Sequence, residues 1–325
     1  MKFGIIGTNF VSDFFMEGAV HEKRCEVVAV CARRAEKVKE FQEKYNIPHG
    51  FTDYKELANS GLIDAIYIAV PNSTHYEAAK YYLERKIPVY CEKPLASNAR
   101  EVKELIALAK ENDVFFMEGL VPLYLPNFKV LKENLHKVGK VRQVNVNFSK
   151  YSSRYDAYLR GENPTTFQAQ LSNGATMDLG VYCVGVVMGL FGMPKKVHSA
   201  GTLIETGVDV SGTSIFEYDD FVVSLSYSKV CTAAPLFEIC GEKGTLRADH
   251  PSVLNDVTLT DKNGTVSIGL PKLPSFYYQI SEMINQLEAG KKETESVPLE
   301  LSDMIHEVLT EIRRQSGVVY PADQQ

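Results

Sequence analysis

Short apolar runs alternate with longer amphipathic stretches over the first third of the chain. The apolar runs have the length of buried strands, and the stretches between them repeat apolar positions at helical spacing. Strands are predicted at residues 3–6, 26–31, 63–70, 88–91 and 114–117. Helices are predicted at residues 12–19, 34–45, 74–84 and 98–111. Because repeated strand–helix units with apolar strands build parallel sheets covered by helices, we expect an α/β Rossmann domain with a doubly wound parallel sheet.

After residue 118 the pattern changes to short alternating strands separated by turns. Strands are predicted at residues 142–148, 197–203, 213–218, 222–227, 236–240, 245–248 and 257–261. Helices are predicted at residues 125–135, 177–190, 276–287 and 301–315. Residues 219–220 and 261–264 have the composition of hairpin turns. Strands in series followed by helices indicate an α+β domain with a large, mostly antiparallel open sheet.

The length and composition of the chain fit two folded domains. With 325 residues, the chain exceeds the roughly 250–300 residues at which a single core stops growing, and we place the domains at 1–118 and 119–325. Hydrophobic residues make up 45% and charged residues 23%, as in soluble globular proteins. The net charge of −6 gives no bulk attraction for nucleic acid or an anionic membrane. No run reaches the ~18 apolar residues of a membrane span. The composition and charge favour small-molecule chemistry over polyanion binding.

The cysteines and the first residues indicate a cytoplasmic protein. The six cysteines are scattered and form no C-x-x-C pair, which argues against a disulfide framework and against a zinc cluster. The chain offers only Met1 and Lys2 before its first strand, so no signal peptide is expected. We therefore expect a cytoplasmic protein without a metal site.

The turn after the first strand occupies the place of a phosphate-binding glycine loop. Such a loop needs a tight turn, a close approach of the main chain to a pyrophosphate, and a helix N-terminus that faces the anion. Of the G-x-G-x-x-G pattern, only Gly7 is present, followed by Thr8, Asn9 and Phe10. We expect Asn9 to replace the second glycine in part, because asparagine tolerates a positive φ. The alternative is an ordinary strand–helix turn.

The end of the second strand favours NADP(H), with NAD(H) as the alternative. Domains that prefer NAD carry Asp or Glu here, to bond the ribose 2′-hydroxyl. This chain carries Arg33 and Arg34, with Lys37 one turn later. The planar guanidinium of arginine pairs well with a 2′-phosphate. The two arginines are otherwise only the exposed start of a helix.

A charged pair follows the strand at 88–91. Glu92 and Lys93 lie at the carboxyl edge of the predicted sheet, where ligands of α/β proteins bind, and Pro94 makes the turn rigid, with a cis bond as one possibility. A lysine beside a nicotinamide can exchange a proton with a substrate hydroxyl. A purely structural ion pair is the alternative.

Four segments in order resemble the glucose–fructose oxidoreductase/inositol dehydrogenase/rhizopine-catabolism (Gfo/Idh/MocA) family of NAD(P)-dependent oxidoreductases. They are FGIIGTNFVS at the start, AVPNSTHYEAA at 69–79, VYCEKPLA at 89–96 and GATMDLGVYCVG at 174–185. The resemblance covers nearly the whole chain. The last segment is most similar to the branch of dimeric dihydrodiol dehydrogenases and NADP-dependent xylose dehydrogenases.

The segment MDLGVYCVG also carries chemistry of its own. Asp178 and Tyr182 are four residues apart on the predicted helix, so their side chains share a face. The resemblance implies that Lys93 and Tyr182 handle the proton of a substrate hydroxyl and that Asp178 orients the substrate. Many relatives have histidine at the position of Tyr182. The alternative is that Asp178 pairs locally and Tyr182 belongs to the core.

The resemblance also implies a set of residues along the cofactor. A lone histidine is more often structural than catalytic, but the resemblance places Pro71, Asn72, His75 and Glu92 beside the cofactor near its ribose and nicotinamide. In the dihydrodiol branch an arginine stands where this chain has Leu123. The substrate pocket is therefore expected to lack a cation that those relatives use.

Together these features predict an oxidoreductase that moves hydride between nicotinamide and a carbinol or carbonyl carbon of a sugar, a sugar derivative or a cyclic diol. Residues 1–118 would bind the dinucleotide, and residues 119–325 would bind substrate and form the oligomer. An open sheet needs covering, so we expect a homodimer or homotetramer through that sheet. Two alternatives stay open: a non-catalytic NAD(P)-binding regulator, and an imine or biliverdin-type reductase on the same scaffold.

Overall fold

A computed structural model of the chain describes residues 1–324 and divides them into two compact units. The first unit contains residues 1–120 and 273–302, and the second contains residues 121–272 and 303–324. The segment 273–302 lies in the first unit, whereas the sequence analysis assigned it to the second domain. Its helix packs against the first helix of the chain, where a Cβ on Gly18 would lie 2.6 Å from the main-chain nitrogen of Tyr277. Only glycine permits this close approach.

The first unit is built on a parallel sheet of six strands in the order β3-β2-β1-β4-β5-β6. The strands are β1 (Lys2–Ile6), β2 (Glu26–Cys31), β3 (His49–Phe51), β4 (Ala65–Ile68), β5 (Val89–Glu92) and β6 (Phe116–Gly119). The helices between them are α1 (Phe10–Ala19), α2 (Ala35–Tyr45), α3 (Tyr54–Asn59), α4 (His75–Leu83) and α5 (Ala99–Glu111). This strand order confirms the predicted Rossmann sheet. The sequence analysis missed β3 and α3, because β3 is three residues long and lacks an apolar run.

The core of the first unit follows the predicted helical periodicity. On α5 the buried apolar residues are Val102, Leu105, Ile106 and Ala109, as the spacing predicts. The helix begins where Asn98 accepts a hydrogen bond from Glu101 N at 3.0 Å. The strands β4 and β5 are buried along their whole length, as expected for a sheet covered on both faces.

The second unit is built on a sheet of eight strands in the order β14-β13-β12-β11-β7-β10-β9-β8. The strands are β7 (Val141–Ser149), β8 (Lys196–Leu203), β9 (Asp209–Glu217), β10 (Val222–Ser228), β11 (Leu236–Gly241), β12 (Gly244–Ala248), β13 (Val257–Asp261) and β14 (Gly264–Ser267). The helices after residue 120 are α6 (Pro126–Asn134), α7 (Ser153–Leu159), α8 (Val181–Phe191), α9 (Ser275–Glu288) and α10 (Leu299–Ser316). The pair β7–β10 is parallel and the other pairs are antiparallel, which confirms the predicted mostly antiparallel sheet.

Alternation along the strands of the second unit leaves one sheet face buried and the other exposed. Strand β10 buries Val223, Leu225 and Tyr227 and turns Ser224 outward, where its hydroxyl donates to Asn145 Oδ1 at 3.0 Å. The predicted turn at 261–264 is confirmed as a hairpin by the pairing of β13 with β14. Helix α7 and strand β14 were missed, because α7 is a short polar segment and β14 is exposed throughout.

The stretch Ala169–Phe191 is the one helical segment among the described residues with the length and apolarity of a membrane span. Its mean hydropathy reaches 1.6 over 18 residues, and 72% of that window is buried inside the structure. The sequence analysis had expected no such stretch. Burial in the unit accounts for the apolar character of the segment, as in a core helix.

Candidate functional site at the carboxyl edge of the parallel sheet

The turn between β1 and α1 is held by side chains rather than by a second glycine. Gly7 has φ +112°, and a Cβ there would lie 2.0 Å from Ala69 O, so only glycine fits. Asn9 is extended, with φ −92° and ψ 177°, which corrects the expectation that it uses a positive φ. Instead Asn9 caps helix α1: its Oδ1 accepts from Val11 N at 2.9 Å, and its Nδ2 donates to Ala69 O at 2.9 Å. The buried Ser12 hydroxyl donates to Gly7 O at 2.9 Å.

This arrangement keeps the dinucleotide fingerprint in a reduced form. Gly7 permits the tight turn, Thr8 is half-buried, and Asn9 and Phe10 are exposed at the start of α1. The N-terminus of α1 follows directly, and a helix N-terminus favours an anion. These residues therefore fit a pyrophosphate at this end of the sheet.

The basic cluster follows β2 at the same edge. Arg33 and Arg34 are exposed, and Arg34 lies at the N-cap position of α2 without a side-chain capping bond. Its guanidinium is 3.8 Å from Glu36, at the limit of an ion pair. Lys37 Nζ lies 2.5 Å from Glu40 Oε2, one turn along the helix. Arg33, Arg34 and Lys37 were the three predicted phosphate ligands. Of these, Lys37 forms an ion pair with Glu40 on its own helix.

His75 links two loops at the carboxyl edge. Its side chain is buried, its Nδ1 lies 2.8 Å from Pro94 O, and its Nε2 lies 2.9 Å from Val70 O. Burial lowers the pKa of His75, so the neutral ring is favoured and donates to one of the two carbonyls at a time. Pro71 and Asn72 stand half-buried in the loop between Val70 and His75. The ring therefore ties that loop to the turn that follows β5.

Lys93 is half-buried and directly follows β5, and the nearby Glu92 and Glu118 are buried. The Lys93–Pro94 peptide bond is cis, as the sequence analysis had allowed. Glu92 is buried, and its Oε1 accepts a hydrogen bond from the Tyr67 hydroxyl at 2.8 Å. Burial raises the pKa of Glu92 to about 7, although the Tyr67 hydroxyl and the charge of Lys93 oppose the rise. Glu118, also buried, accepts from Leu95 N at 3.2 Å.

A second set of polar residues lies in the other unit. Asp178 lies in a π-helical turn, Thr176–Gly180, that leads into α8, and such turns are frequent at functional sites. Its carboxylate accepts a hydrogen bond from Lys229 Nζ. Asp209 is buried and holds the start of this turn, because its Oδ2 accepts from Thr176 N at 2.7 Å and from Thr176 Oγ1 at 2.8 Å. Asp178 therefore forms a local ion pair, which was one of the two alternatives from the sequence. Its side chain also remains partly exposed.

Tyr182 lies one turn further along, on α8, and is half-buried. Its ring lies 5.9 Å from the ring of Phe148, which in turn lies 4.5 Å from the ring of His250. Burial lowers the pKa of His250. The phenol is therefore positioned by aromatic packing within the second unit.

Leu123 takes up the space next to α8 where relatives are expected to carry an arginine. It is buried, and a Cβ on Gly189 would lie 2.9 Å from its Cδ2. Among residues 1–324, no group of three or more His, Cys, Asp and Glu side chains is placed to hold a metal ion.

Sequence reasoning missed Lys229, Glu118 and Asp209. Each had a signal in the pattern. Lys229 falls at the inward position that follows Val223, Leu225 and Tyr227. Glu118 interrupts an apolar run, and Asp209 opens β9 at a buried position. A charged residue at an inward-facing position indicates a buried partner, but the sequence does not say which.

A parallel sheet of this order, with a glycine turn and a helix N-terminus at its carboxyl edge, is the framework of dinucleotide-binding proteins. Residues 1–120 match the model of an oxidoreductase family with an NAD-binding Rossmann fold, and residues 134–247 match the GFO/IDH/MocA C-terminal domain. The chain belongs to the GFO/IDH/MocA oxidoreductase family. The resemblance drawn from the four sequence segments is thereby confirmed.

Curated relatives extend over the full length of the chain. It is 41% identical to the scyllo-inositol 2-dehydrogenase (NADP(+)) IolU of Bacillus subtilis, over 100% of this chain and 99% of the relative. It is 31% identical to a trans-1,2-dihydrobenzene-1,2-diol dehydrogenase of Xenopus laevis, over 98% of this chain and 99% of the relative. The chain is an oxidoreductase, as the sequence analysis predicted.

Solved structures share the fold. The 3-ketoreductase KijD10 of Actinomadura kijaniata, solved with NADP and TDP-benzene, superposes with a TM-score of 0.85 at 20% identity, over 98% of this chain and 99% of that one. An oxidoreductase of Agrobacterium radiobacter, solved with NAD+, L-tartaric acid and magnesium, gives 0.82 at 16% identity, over 97% and 96%. At these identities the likeness concerns the fold alone.

Proposed function

We propose that the protein is an NADP-dependent oxidoreductase that acts on a hydroxyl-bearing carbon of a cyclic polyol, a sugar or a sugar derivative. The observation that carries the proposal is the position of Lys93, half-buried at the carboxyl end of β5 in a Rossmann sheet. The full-length similarity to IolU, whose name gives NADP(+) and scyllo-inositol, supports both the cofactor and the substrate class. The similar dehydrogenase of Xenopus laevis acts, by name, on a cyclic diol.

The proposed cofactor residues all belong to the first unit. Residues 7–10 fit the pyrophosphate through the tight turn and the N-terminus of α1. Arg33 and Arg34 are exposed at the end of β2, which suits them to a 2′-phosphate, while Lys37 is held by Glu40. Bound NADP(H) supplies the hydride acceptor or donor. NAD(H) remains the alternative cofactor for the same fold.

The remaining cofactor residues act at the loops after β4 and β5. We propose that Pro71 and Asn72 border the cofactor and that Glu92 lies beneath it. Because both ring nitrogens of His75 face main-chain carbonyls, His75 serves the cofactor by fixing these loops.

The proposed chemistry is general acid–base catalysis at one substrate hydroxyl group. Lys93 and Tyr182 take or return the hydroxyl proton, and Asp178 orients the substrate by accepting hydrogen bonds from its hydroxyl groups. Proton transfer by such groups contributes ~10²–10⁴-fold to the rate, and alignment of the reacting carbons contributes the larger share.

The first unit, which contains the predicted domain 1–118 together with residues 273–302, is proposed to bind the dinucleotide. The rest of the predicted domain 119–325 is proposed to bind substrate and to form the oligomer. We propose a cytoplasmic homodimer or homotetramer that uses the exposed face of the eight-stranded sheet, with no nucleic-acid or membrane partner. The exposed face carries hydrogen-bonding side chains such as Asn145 and Ser224, together with the exposed Ile215 and Val222. A polar face with apolar side chains in it suits contact with a second copy.

The experiment is a dehydrogenase screen over inositols, pentoses, hexoses and trans-diols, with NADP⁺ and NAD⁺ run in parallel. The proposal expects reduction of NADP⁺ by at least one cyclic polyol or sugar, with higher kcat/KM for NADP⁺ than for NAD⁺. Tight NADPH binding without turnover of any compound contradicts the proposal and identifies a nucleotide-binding regulator. Turnover of imines alone contradicts the substrate class.

A further inference from the structure

The second unit holds a buried lysine that the proposed chemistry does not yet use. Lys229 follows directly after β10, and its side chain is 7% exposed. Its Nζ donates a hydrogen bond to Asp178 Oδ2, and the side chain of Asp178 is 41% exposed. The ion pair therefore joins a buried cation to a carboxylate that reaches the surface of its unit.

The main chain on both sides of the Lys229 α-carbon is fixed. Lys229 N donates to Val210 O at 2.9 Å, and Lys229 O accepts from Ser152 N at 2.9 Å. Strand β10 buries the alternate residues Val223, Leu225 and Tyr227, and position 229 is the next in that series. The side chain thus leaves the sheet on its covered face, towards the π-helical turn that carries Asp178.

The position of this pair has two physical consequences. A buried ammonium is tolerated only beside a counter-charge, so the Asp178 carboxylate is held at one oxygen by a side chain with little freedom to move. The positive charge of Lys229 also offsets the negative charge of Asp178. A substrate group near this carboxylate therefore meets a hydrogen-bond acceptor whose attraction for a cation is weakened.

We propose that Lys229 is a positioning residue, which fixes the Asp178 carboxylate for substrate hydroxyl groups and selects neutral polyols over cationic, amino-substituted ones. The proposal deepens the proposed function and rests on it, because it takes Asp178 as the group that orients the substrate. It makes Lys229 act through Asp178, without contact to the reacting atoms.

A double-mutant cycle tests whether Lys229 acts through Asp178. The variants are Lys229→Gln, Asp178→Asn and the double variant, assayed with scyllo-inositol and NADP⁺. A displacement of about 1 Å costs on the order of 10²-fold, so each single variant is expected to lose about that much kcat/KM. The double variant is expected to be no less active than Asp178→Asn alone. Losses that multiply overturn the proposal.

Three controls separate positioning from folding. Lys229→Arg keeps the charge and is expected to restore most of the activity, whereas Lys129→Gln removes an exposed charge on α6 and is expected to match the wild type. The Kd for NADPH is expected to stay unchanged in every variant. If Lys229→Gln does not fold, the double variant Asp178→Asn/Lys229→Met removes both charges. Activity equal to Asp178→Asn supports the proposal, and a further loss overturns it.

Selectivity supplies a readout that a purely structural lysine would not change. The measured quantity is the ratio of kcat/KM for scyllo-inositol to that for scyllo-inosamine, in which an ammonium group replaces one hydroxyl. The wild type is expected to favour the neutral compound, and Lys229→Gln is expected to shift the ratio about tenfold towards the amine, because Asp178 is no longer neutralised. An unchanged ratio overturns the selectivity role.

Lys93→Met, assayed in parallel, separates the proposed proton transfer by Lys93 from the proposed positioning of Asp178 by Lys229. Full turnover by Lys93→Met together with a non-additive cycle contradicts the proposed proton transfer and leaves the role of Lys229 standing. An inactive Lys93→Met together with an additive cycle supports the proposed proton transfer and contradicts the role of Lys229.

Discussion

At the scale of a single residue, Glu92 is a buried carboxyl group whose pKa is raised by the fold. The carboxyl group is buried on β5 next to Lys93, and burial raises its pKa from 4.5 to about 7. The folded protein therefore holds this proton more tightly than the unfolded chain does. The stabilising contribution of the protonated group is present in full below the unfolded pKa of 4.5 and is lost as the pH rises through about 7.

Replacing Glu92 by glutamine removes this pH dependence, because the amide stays neutral. A pKa difference of this size corresponds to roughly 3 kcal/mol. We expect the free energy of unfolding of Glu92→Gln, relative to wild type, to rise by that order between about pH 5 and about pH 8, measured by urea unfolding. Glu43→Gln, on the exposed face of α2, serves as the control and should show no such trend. A difference that stays constant with pH would contradict the burial argument.

A second prediction at the scale of single residues concerns Arg33 and Arg34 after β2, which we propose to bind the 2′-phosphate of NADP⁺. A charge-assisted hydrogen bond to a phosphate is worth about 1.5–3 kcal/mol, or roughly 10- to 100-fold. We expect Arg33→Ala/Arg34→Ala to lower kcat/KM for NADP⁺ by that factor and to leave kcat/KM for NAD⁺ nearly unchanged. Lys39→Ala, whose Nζ lies 3.8 Å from Glu43 on the same helix, should change neither value. An unaltered cofactor ratio in the double variant would place the 2′-phosphate elsewhere.

At the scale of elements, apolar runs predicted most of the strands and helices of both sheets. Strands such as β2 and β13 have the bounds that the pattern indicates, because β2 is buried over its last four residues and β13 buries Val257 and Leu259 on one face. The elements that were missed are short or exposed, as β3 and β14 are, so no apolar pattern marks them. The π-helical turn Thr176–Gly180 overlaps the start of the ordinary helix predicted at 177–190. The sequence pattern does not show the distortion, because Thr176 contacts β9 and β10, which are distant in sequence.

The π-helical turn makes the position of Asp178 depend on Thr176. Removing the Thr176 hydroxyl leaves the buried Asp209 carboxylate with one hydrogen bond fewer and is expected to cost about 1–3 kcal/mol of stability. We expect Thr176→Val to lower kcat/KM for the polyol while the Kd for NADPH is unchanged. Thr176→Ser keeps the hydroxyl and should retain both stability and activity. Equal behaviour of the two variants, in urea unfolding and in steady-state kinetics, would refute this dependence.

At the scale of the whole molecule, the sequence predicted the parallel sheet and the mostly antiparallel sheet. It did not predict that the chain returns to the first unit after the second sheet. Residues 273–302 return to the first unit, where α9 packs on α1, and no local pattern records that long-range contact. The candidate residues were found from motifs, whereas the pairing of Asp178 with Lys229 needed the structure. The periodicity of apolar residues predicts helices and strands, but it does not predict which side chains pair through tertiary contacts.

The exposed face of the eight-stranded sheet leads to a prediction about assembly. We expect light scattering to give a mass of two or four times the 36.3 kDa of the chain. Ile215→Glu places a charge among exposed side chains of that face and is expected to shift the protein towards monomer. Lys129→Gln, on α6, should keep the assembled mass. A monomeric wild-type protein would contradict an interface on this sheet.

We propose that this chain is an NADP-dependent polyol or sugar dehydrogenase that uses Lys93 for proton transfer. The most direct measurement compares wild type and Lys93→Met by NADPH formation from the best substrate of the screen, with NADPH affinity measured on the same samples. We expect Lys93→Met to bind NADPH as the wild type does and to lose ~10²–10⁴-fold in kcat. Full turnover by Lys93→Met, with NADPH binding intact, would contradict it.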